Sequence, residues 1–197
     1  KQDLIEKIVA EVEACHKCEL WRSRGNPVPG EGSFDAVVMF IGEAPGYWED
    51  LKGRPFVGAA GQFLDELLAK IGLVRSDVYI TNVLKSRPPE NRDPQPSEIQ
   101  ACTPYLDMQI RIIQPKIIVT LGRHSMSYIL SKLGFEIRGI TGVHGRVYAG
   151  ELLGLKVTIV PTFHPAAALY NLKYKDAIER DFQVIKSELE KLGAGSA

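Results

Sequence analysis

The apolar residues of this chain form short continuous runs that alternate with stretches of helical periodicity. Continuous runs at residues 36–41 and 117–121 are typical of strands that are buried on both faces of a sheet. Residues 78–81 indicate a further strand, and residues 157–160 indicate a fourth, linked through a hairpin to residues 146–148. The pattern therefore predicts a central, mostly parallel sheet of four strands.

Helical periodicity occupies the stretches between these runs, where apolar residues recur every three or four positions. Helices are predicted over residues 4–12, 63–71, 97–115, 125–133 and 176–192. Ser97 and Gln100 have the spacing of a capping box at the start of the third helix. Residues 193–197 are predicted to form a frayed tail. Because strands alternate with helices, we expect a single α/β domain over residues 1–197, a three-layer α/β/α sandwich.

Charge and composition narrow the class of protein only slightly. The 24 Lys and Arg residues balance 24 Asp and Glu residues, so the net charge indicates no partner. No apolar run could span a bilayer and the amino terminus lacks a secretory pattern, so we expect a cytoplasmic protein without membrane contacts. Residues 15–29, 84–92 and 164–175 each contain two more basic than acidic residues. Such segments suit a groove that follows a nucleic-acid backbone.

Polar segments directly follow three of the predicted strands. These segments are residues 42–50, 82–92 and 164–174. The carboxyl ends of parallel strands meet at one edge of a sheet, where α/β proteins bind their ligands. We therefore expect the three segments to converge in one functional site.

Three residues in these segments carry candidate chemistry. Glu43 suits the orientation of a water molecule, Asn82 offers a donor and an acceptor to a nucleobase edge, and His164 can donate to a developing anion. Viewed alone, the first two residues also fit a strand-exit turn and a loop cap. His124 and His144 have no polar constellation beside them in the sequence, and we expect them to be structural or exposed.

Four motifs, taken in order, resemble those of the iron–sulfur uracil-DNA glycosylases, family 4 of that superfamily. The motifs are residues 42–46 (GEAPG), 53–61 (GRPFVGAAG), 80–92 (ITNVLKSRPPENR) and 164–166 (HPA). The resemblance implies that the protein flips deoxyuridine out of single- or double-stranded DNA and hydrolyses the N-glycosidic bond. The products would be free uracil and an abasic site, without a lyase step. We expect such an enzyme to be a monomer.

The resemblance also implies a role for each residue of the base pocket. Phe56 would stack on the uracil ring, and Asn82 would read its O4 and N3 edge and so exclude cytosine. His164 would stabilise negative charge on uracil O2, and Glu43 would orient water or stabilise the sugar cation. Glu49 would lie near C5 and crowd the methyl group of thymine.

Further contacts are implied around this pocket. Ala44 and Asn91 would complete the contacts with the substrate. Ala168 and Leu169 would fill the space in the base stack that the flipped nucleotide leaves. The predicted DNA contacts are Lys85, Arg87, Arg92, Ala168, Leu169 and Tyr170.

The three cysteines match ligands of the cofactor that the resemblance implies. Cys15, Cys18 and Cys102 match three of the four cysteines that bind a [4Fe–4S] cluster in this family, and Ser86 stands at the fourth position. Serine is a harder and less acidic ligand than cysteine. Either Ser86 binds through oxygen, or the site loses one iron, or the cluster is absent; we expect a cluster that forms but is labile. Zinc bound with the help of His16 is the competing interpretation.

Two other classes of protein remain open from the sequence. One is a non-catalytic iron–sulfur module that binds nucleic acid, and the other is a small-nucleotide hydrolase. The hydrolase would need a phosphate-binding loop and an acidic metal-binding cluster, and the sequence shows neither. The presence of Glu43, Asn82 and His164 favours the glycosylase over the binding module.

Overall fold

A six-stranded sheet lies at the centre of the protein in the computed structural model, which describes residues 1–194. The strands are β1 (Glu31–Gly32), β2 (Val38–Gly42), β3 (Tyr79–Asn82), β4 (Ile117–Leu121), β5 (Tyr148–Leu152) and β6 (Leu155–Thr162). Their spatial order is β1-β3-β2-β4-β6-β5. The central strands β3, β2, β4 and β6 are parallel, and β1 and β5 pair antiparallel at the two edges. The predicted parallel strands are therefore present, and two edge strands extend them.

Helices cover both faces of this sheet. They are α1 (Gln2–Glu13), α2 (Tyr47–Lys52), α3 (Ala59–Lys70), α4 (Pro96–Ile113), α5 (Arg123–Lys132) and α6 (Leu172–Ala194). Met39 and Ile41 share one core with α1, α4 and α5, whereas Val38 and Phe40 share the other with α3 and α6. Because successive side chains of a strand point to opposite faces, this one apolar run supplies both cores. The predicted three-layer α/β/α sandwich is confirmed.

The amino-terminal cap of α4 differs from the predicted capping box. The helix begins at Pro96, a residue suited to the first turn because it has no N–H to satisfy. The Glu98 carboxylate accepts the backbone N–H of Gln95 at 2.9 Å. Ser97 and Gln100 therefore lie within the helix, and the predicted capping role of Ser97 is wrong.

Other boundaries also depart from the sequence pattern. β1 has only two residues and no apolar alternation, which leaves no signal for an edge strand. Helix α6 extends from Leu172 to Ala194, so the first residues of the predicted tail are helical. Residues 195–197, the rest of that tail, lie outside the described residues. Within residues 1–194, no helix combines the length and the apolar character that crossing a membrane requires.

Candidate active site

The carboxyl ends of the parallel strands open into one cleft. Gly42 and Asn82 are paired at the ends of β2 and β3, and His164 follows the end of β6. The cleft has a volume of about 420 Å³. Its lining includes Glu43, Ala44, Glu49, Phe56, Asn82, Asn91, Arg92 and His164. The structure thus brings together the segments that follow three strands, as their positions in the chain predict.

Asn82 presents an unpaired acceptor in this cleft. It is 2% exposed, and its Oδ1 has no hydrogen-bond partner among the described residues. A buried acceptor without a partner costs free energy unless a ligand donates to it. Gly42 makes room for the amide, because a Cβ at that position would collide with Oδ1 and lie 2.7 Å from the ring of Phe56. The amide is therefore available to a ligand that carries its own donor.

The ring of Phe56 borders Asn82 because the Phe56 backbone is left-handed. Its φ is 50°, a strained value for a residue with a side chain. The guanidinium group of Arg75 holds this turn by donating to the carbonyl oxygens of Phe56 at 3.0 Å and Pro55 at 2.6 Å. Gly61 faces the Phe56 carbonyl so closely that no Cβ would fit. These contacts fix an aromatic ring beside the amide.

His164 is a neutral hydrogen-bond donor. Its Nδ1 accepts the N–H of Ala166 at 3.1 Å, so the proton of the neutral ring is on Nε2. Burial lowers the pKa of His164 from 6.5 to about 4, while the charge of Glu49 acts in the opposite direction. The His164 ring stacks with that of Phe56 at 5.5 Å between centroids. At neutral pH the imidazole therefore offers a donor without carrying a charge.

Glu43 approaches His164 across a glycine. Gly122 has a φ of 99°, and a Cβ there would lie 2.5 Å from Glu43 Oε1 and 3.3 Å from His164 Cβ. Burial raises the pKa of Glu43; the charge of His124 lowers it, and that of Asp93 raises it. A carboxylate with a raised pKa is a better proton acceptor than an exposed one.

Glu43 has polar partners that the sequence does not indicate. Carboxylate oxygens of Glu43 and Asp93 and a ring nitrogen of His124 lie within 4.8 Å of one another, and these ligand types could hold a cation. His124 Nε2 is buried without a hydrogen-bond partner among the described residues, 3.7 Å from Asp93 Oδ1. The polar constellation of His124, which we expected to be structural or exposed, is thus supplied by residues distant in the sequence. The position of His124 after the end of β4, another parallel strand, is compatible with the cleft but does not indicate which side chains it meets.

His144 also has polar partners that the sequence did not indicate. Its Nδ1 lies 2.9 Å from a carboxylate oxygen of Asp181, which accepts the hydroxyl of Thr162 at 2.6 Å. The His144 ring packs at 4.5 Å from the ring of Phe163, the residue before His164. This group packs at the end of β6, the strand that precedes His164.

Glu49 connects α2 to the loop that carries Phe56. Its Oε1 accepts the backbone N–H groups of Val57 at 3.1 Å and Gly58 at 3.2 Å. Gly58 is the amino-terminal cap residue of α3, where a negative charge is favourable. The side chain lines the cleft, and its effect on thymine stays a prediction.

The turn after His164 carries three of the predicted DNA contacts. Tyr170 is 89% exposed and Leu169 is 46% exposed. Ala168 instead packs in part against the core between α3 and α6. Leu169 and Tyr170 are therefore available to a macromolecular ligand, and the DNA contacts of all three residues stay predictions.

The two predicted arginine contacts already have partners within the protein. Arg87 Nε donates to Asn91 Oδ1 at 2.8 Å. The guanidinium group of Arg92 forms hydrogen bonds of 2.6 and 3.0 Å with the carboxylate of Glu98. The carboxylate largely offsets the charge of Arg92, whereas Asn91, the partner of Arg87, is uncharged.

Lys85 is buried rather than exposed to DNA. It is 1% exposed. Its Nζ donates to Thr81 Oγ1 at 2.6 Å, to the Asn82 carbonyl at 2.8 Å and to Gln109 Oε1 at 2.8 Å. Burial lowers the pKa of Lys85 from 10.5 to about 7. The predicted contact between Lys85 and DNA is therefore wrong, since all three donors of the ammonium group are used inside the protein.

The three cysteines and Ser86 face one internal cavity. Cys15, Cys18, Ser86 and Cys102 line it between α1, α4 and the segment after β3. Burial raises the pKa of the Cys18 and Cys102 thiols. The Ser86 hydroxyl accepts a hydrogen bond from Arg24 at 3.0 Å. Three sulfur donors and one oxygen donor around a common cavity fit the ligand set of a metal–sulfur centre.

His16 does not complete this set of ligands. Its side chain is exposed and packs against the ring of Trp21 at 4.4 Å between centroids. It is not among the residues that line the cavity. The interpretation as a zinc site with His16 as the fourth ligand therefore has no support in this geometry.

Comparison with known proteins identifies the family. Residues 29–186 match the Uracil DNA glycosylase superfamily. A type-4 uracil-DNA glycosylase of Sulfurisphaera tokodaii is 55% identical over 185 residues, which cover 93% of this chain and 84% of that protein. A type-4 uracil-DNA glycosylase of Saccharolobus solfataricus is 51% identical, and the match covers 95% of this chain and 87% of that protein. A type-4 uracil-DNA glycosylase of Thermotoga maritima is 42% identical, and the match covers 98% of both chains.

These matches define the class of protein. The chain belongs to the uracil-DNA glycosylase superfamily. Within it, the chain is a member of the type-4 uracil-DNA glycosylases, as its motifs predict.

Proposed function

We propose that this protein excises uracil from single- or double-stranded DNA as a repair glycosylase. The unpaired Oδ1 of Asn82, in a cleft bordered by Phe56 and a neutral His164, is the observation that supports this most directly. A flipped uracil offers an N3–H that this oxygen accepts and an O4 to which the amide nitrogen donates. Cytosine has an acceptor at N3 and an amino group at C4, so the same amide meets mismatched groups.

The pocket holds the flipped base by its faces and edges. The Phe56 ring provides a stacking surface that partly replaces the neighbours lost on flipping, a process that costs a few kcal/mol. Glu49, a residue of α2, lines the cleft and would crowd a methyl group at C5 of the base. A base therefore has to match both the amide and the shape of the pocket.

Hydrolysis requires charge to be stabilised at two points. When the C1′–N1 bond breaks, its electron pair stays on uracil and negative charge accumulates on O2. His164 donates its Nε2–H to this oxygen, and the neutral ring stabilises the anion while keeping its proton. The Glu43 carboxylate stabilises the sugar cation and accepts a proton from the water whose oxygen bonds to C1′. Uracil then takes up a proton and leaves an abasic site.

The activity stops at the abasic site. A lyase step would need an amine nucleophile, and none of the described residues that line the cleft is a lysine. The ammonium group of Lys85 donates to three oxygens inside the protein. These observations support a monofunctional glycosylase.

Cys15, Cys18, Ser86 and Cys102 would hold a [4Fe–4S] cluster in the internal cavity. When bound there, the cluster would crosslink α1, α4 and the segment after β3. The positive charge of Arg24, which donates to Ser86, favours an anionic centre. Ser86 is the weakest of the four ligands, so we expect the cluster to be labile.

Excision is tested on labelled oligonucleotides that carry uracil, thymine or cytosine at one position. Alkali converts each abasic site into a strand break. We expect breaks at uracil alone, and loss of excision far greater than loss of DNA affinity in Asn82→Ala, because phosphate contacts dominate binding. Gln183→Ala, an exposed substitution on α6, is the control. DNA binding without excision by iron-loaded protein would contradict the proposal and assign a binding module.

A further inference from the structure

Helix α2 exposes apolar side chains at the mouth of the cleft. It starts directly after Gly46, which lines the cleft, and none of its residues is buried. Tyr47, Trp48 and Leu51 are 54%, 52% and 56% exposed. A helix usually turns its apolar side chains toward the core. Here they face solvent beside the site that receives the substrate.

The acidic residues of α2 hold the helix in this orientation. Glu49 accepts the backbone N–H groups of Val57 and Gly58, and Asp50 accepts the N–H of Gly25 at 2.9 Å. Both carboxylates are thus used as anchors to neighbouring loops. The exposed side of the helix carries the apolar groups together with the lysine that ends the helix.

A cation completes this surface and connects it with the cleft. The guanidinium group of Arg87 lies 5.5 Å from the centroid of the Tyr47 ring and donates to Asn91, which lines the cleft. The Tyr47 and Trp48 rings pack edge to face at 5.2 Å. We call Tyr47, Trp48, Leu51 and Arg87 the rim platform.

We propose that the rim platform binds the single-stranded nucleotides next to the flipped uracil. The exposed aromatic rings stack on bases, and the Arg87 guanidinium binds phosphate. Every base has an aromatic face, so this binding is independent of sequence. The inference rests on the proposed excision activity. The cation and the continuity with the cleft favour DNA over a second copy of this chain as the occupant.

The platform is tested by binding, separately from excision. Protein is titrated into fluorescein-labelled oligothymidine, which contains no uracil, and the fluorescence anisotropy of the label is followed. We expect an affinity that falls about five- to a hundredfold in Trp48→Ala, the size of one lost base–aromatic stack. Trp48→Phe should retain most of the affinity because a stacking ring remains. Phe135→Ala, which removes an aromatic residue that is 40% exposed elsewhere, is the matched control.

The outcomes separate this inference from the proposed function. If wild-type protein releases no uracil but binds oligothymidine more tightly than Trp48→Ala does, excision is contradicted and the platform is supported. Equal affinity of wild-type protein and Trp48→Ala for oligothymidine would overturn the platform. So would a concentration-dependent dimer that Trp48→Ala abolishes, since a second copy of the chain would then occupy this surface. Circular dichroism verifies that each variant is folded.

Discussion

The low pKa of His164 predicts a specific loss of stability in acid. Burial lowers this pKa from 6.5 to about 4, so the folded ring stays neutral where the unfolded ring is protonated. Between these values the unfolded state binds more protons than the native state, and the free energy of unfolding rises with pH. The protein is therefore destabilised through His164 as the pH falls from 6.5 toward 4.

The magnitude follows from the difference between the two pKa values. A shift of one pKa unit corresponds to about 1.4 kcal/mol, so the shift from 6.5 to about 4 corresponds to about 3.4 kcal/mol. The His164 ring is partly exposed to the cleft, and solvent screening reduces this figure. We expect the free energy of unfolding to fall by about 2 kcal/mol through this residue between about pH 7 and pH 4.5.

Urea unfolding of the wild-type protein and of His164→Gln, at a series of pH values, measures the effect. Other titrating groups are common to both proteins, so the difference between their pH profiles isolates His164. Gln183→Ala, an exposed substitution on α6 that leaves every titratable group in place, should keep the wild-type profile. If the wild-type protein and His164→Gln lose stability in parallel, the neutral buried imidazole is refuted. The neutral donor in the proposed mechanism would then be refuted as well.

Other substitutions test single features of the two sites. The rate of excision should fall as the pH drops through the raised pKa of Glu43, because only the carboxylate form accepts a proton. If the slower Glu43→Gln variant shows the same decrease in acid, Glu43 is not the proton acceptor. Gly42→Ala should abolish excision in a folded protein, because the new Cβ collides with Asn82. Gly139→Ala, where no atom lies within 4 Å, should excise normally. Ser86→Cys should slow iron loss to a chelator; equal rates of loss would exclude Ser86 as the weak ligand.

The position of a residue directly after a parallel strand was sufficient to predict that it lies in the cleft. Parallel strand ends necessarily meet at one edge, so Glu43 after β2, Asn82 at the end of β3 and His164 after β6 had to converge. The apolar runs that form these strands are long and unbroken, and they predict the core for the same reason. The sequence does not predict helix α2, because six residues are too few to establish a helical periodicity of apolar positions.

Residues whose role depends on the direction of a side chain could not be found in this way. Asp93 reaches Glu43 from a loop with no regular repeat, and His124 stands in the first turn of α5, where the pattern indicates only a helix. Their proximity results from packing between segments that are distant in the sequence. No spacing rule in one sequence encodes such a contact.

Lys85 shows how a correct motif can support a wrong assignment. Its positive charge and its basic neighbours predict a phosphate contact, and a count of charges cannot distinguish a side chain that points outward from one that points inward. Its Nζ instead donates to the carbonyl oxygen of Asn82, the residue whose amide faces the cleft, and to two oxygens of the core. The next residue, Ser86, faces the cysteine cavity. The segment after β3 therefore connects the base pocket to the cavity of the cysteines, and a buried lysine holds the connection in place.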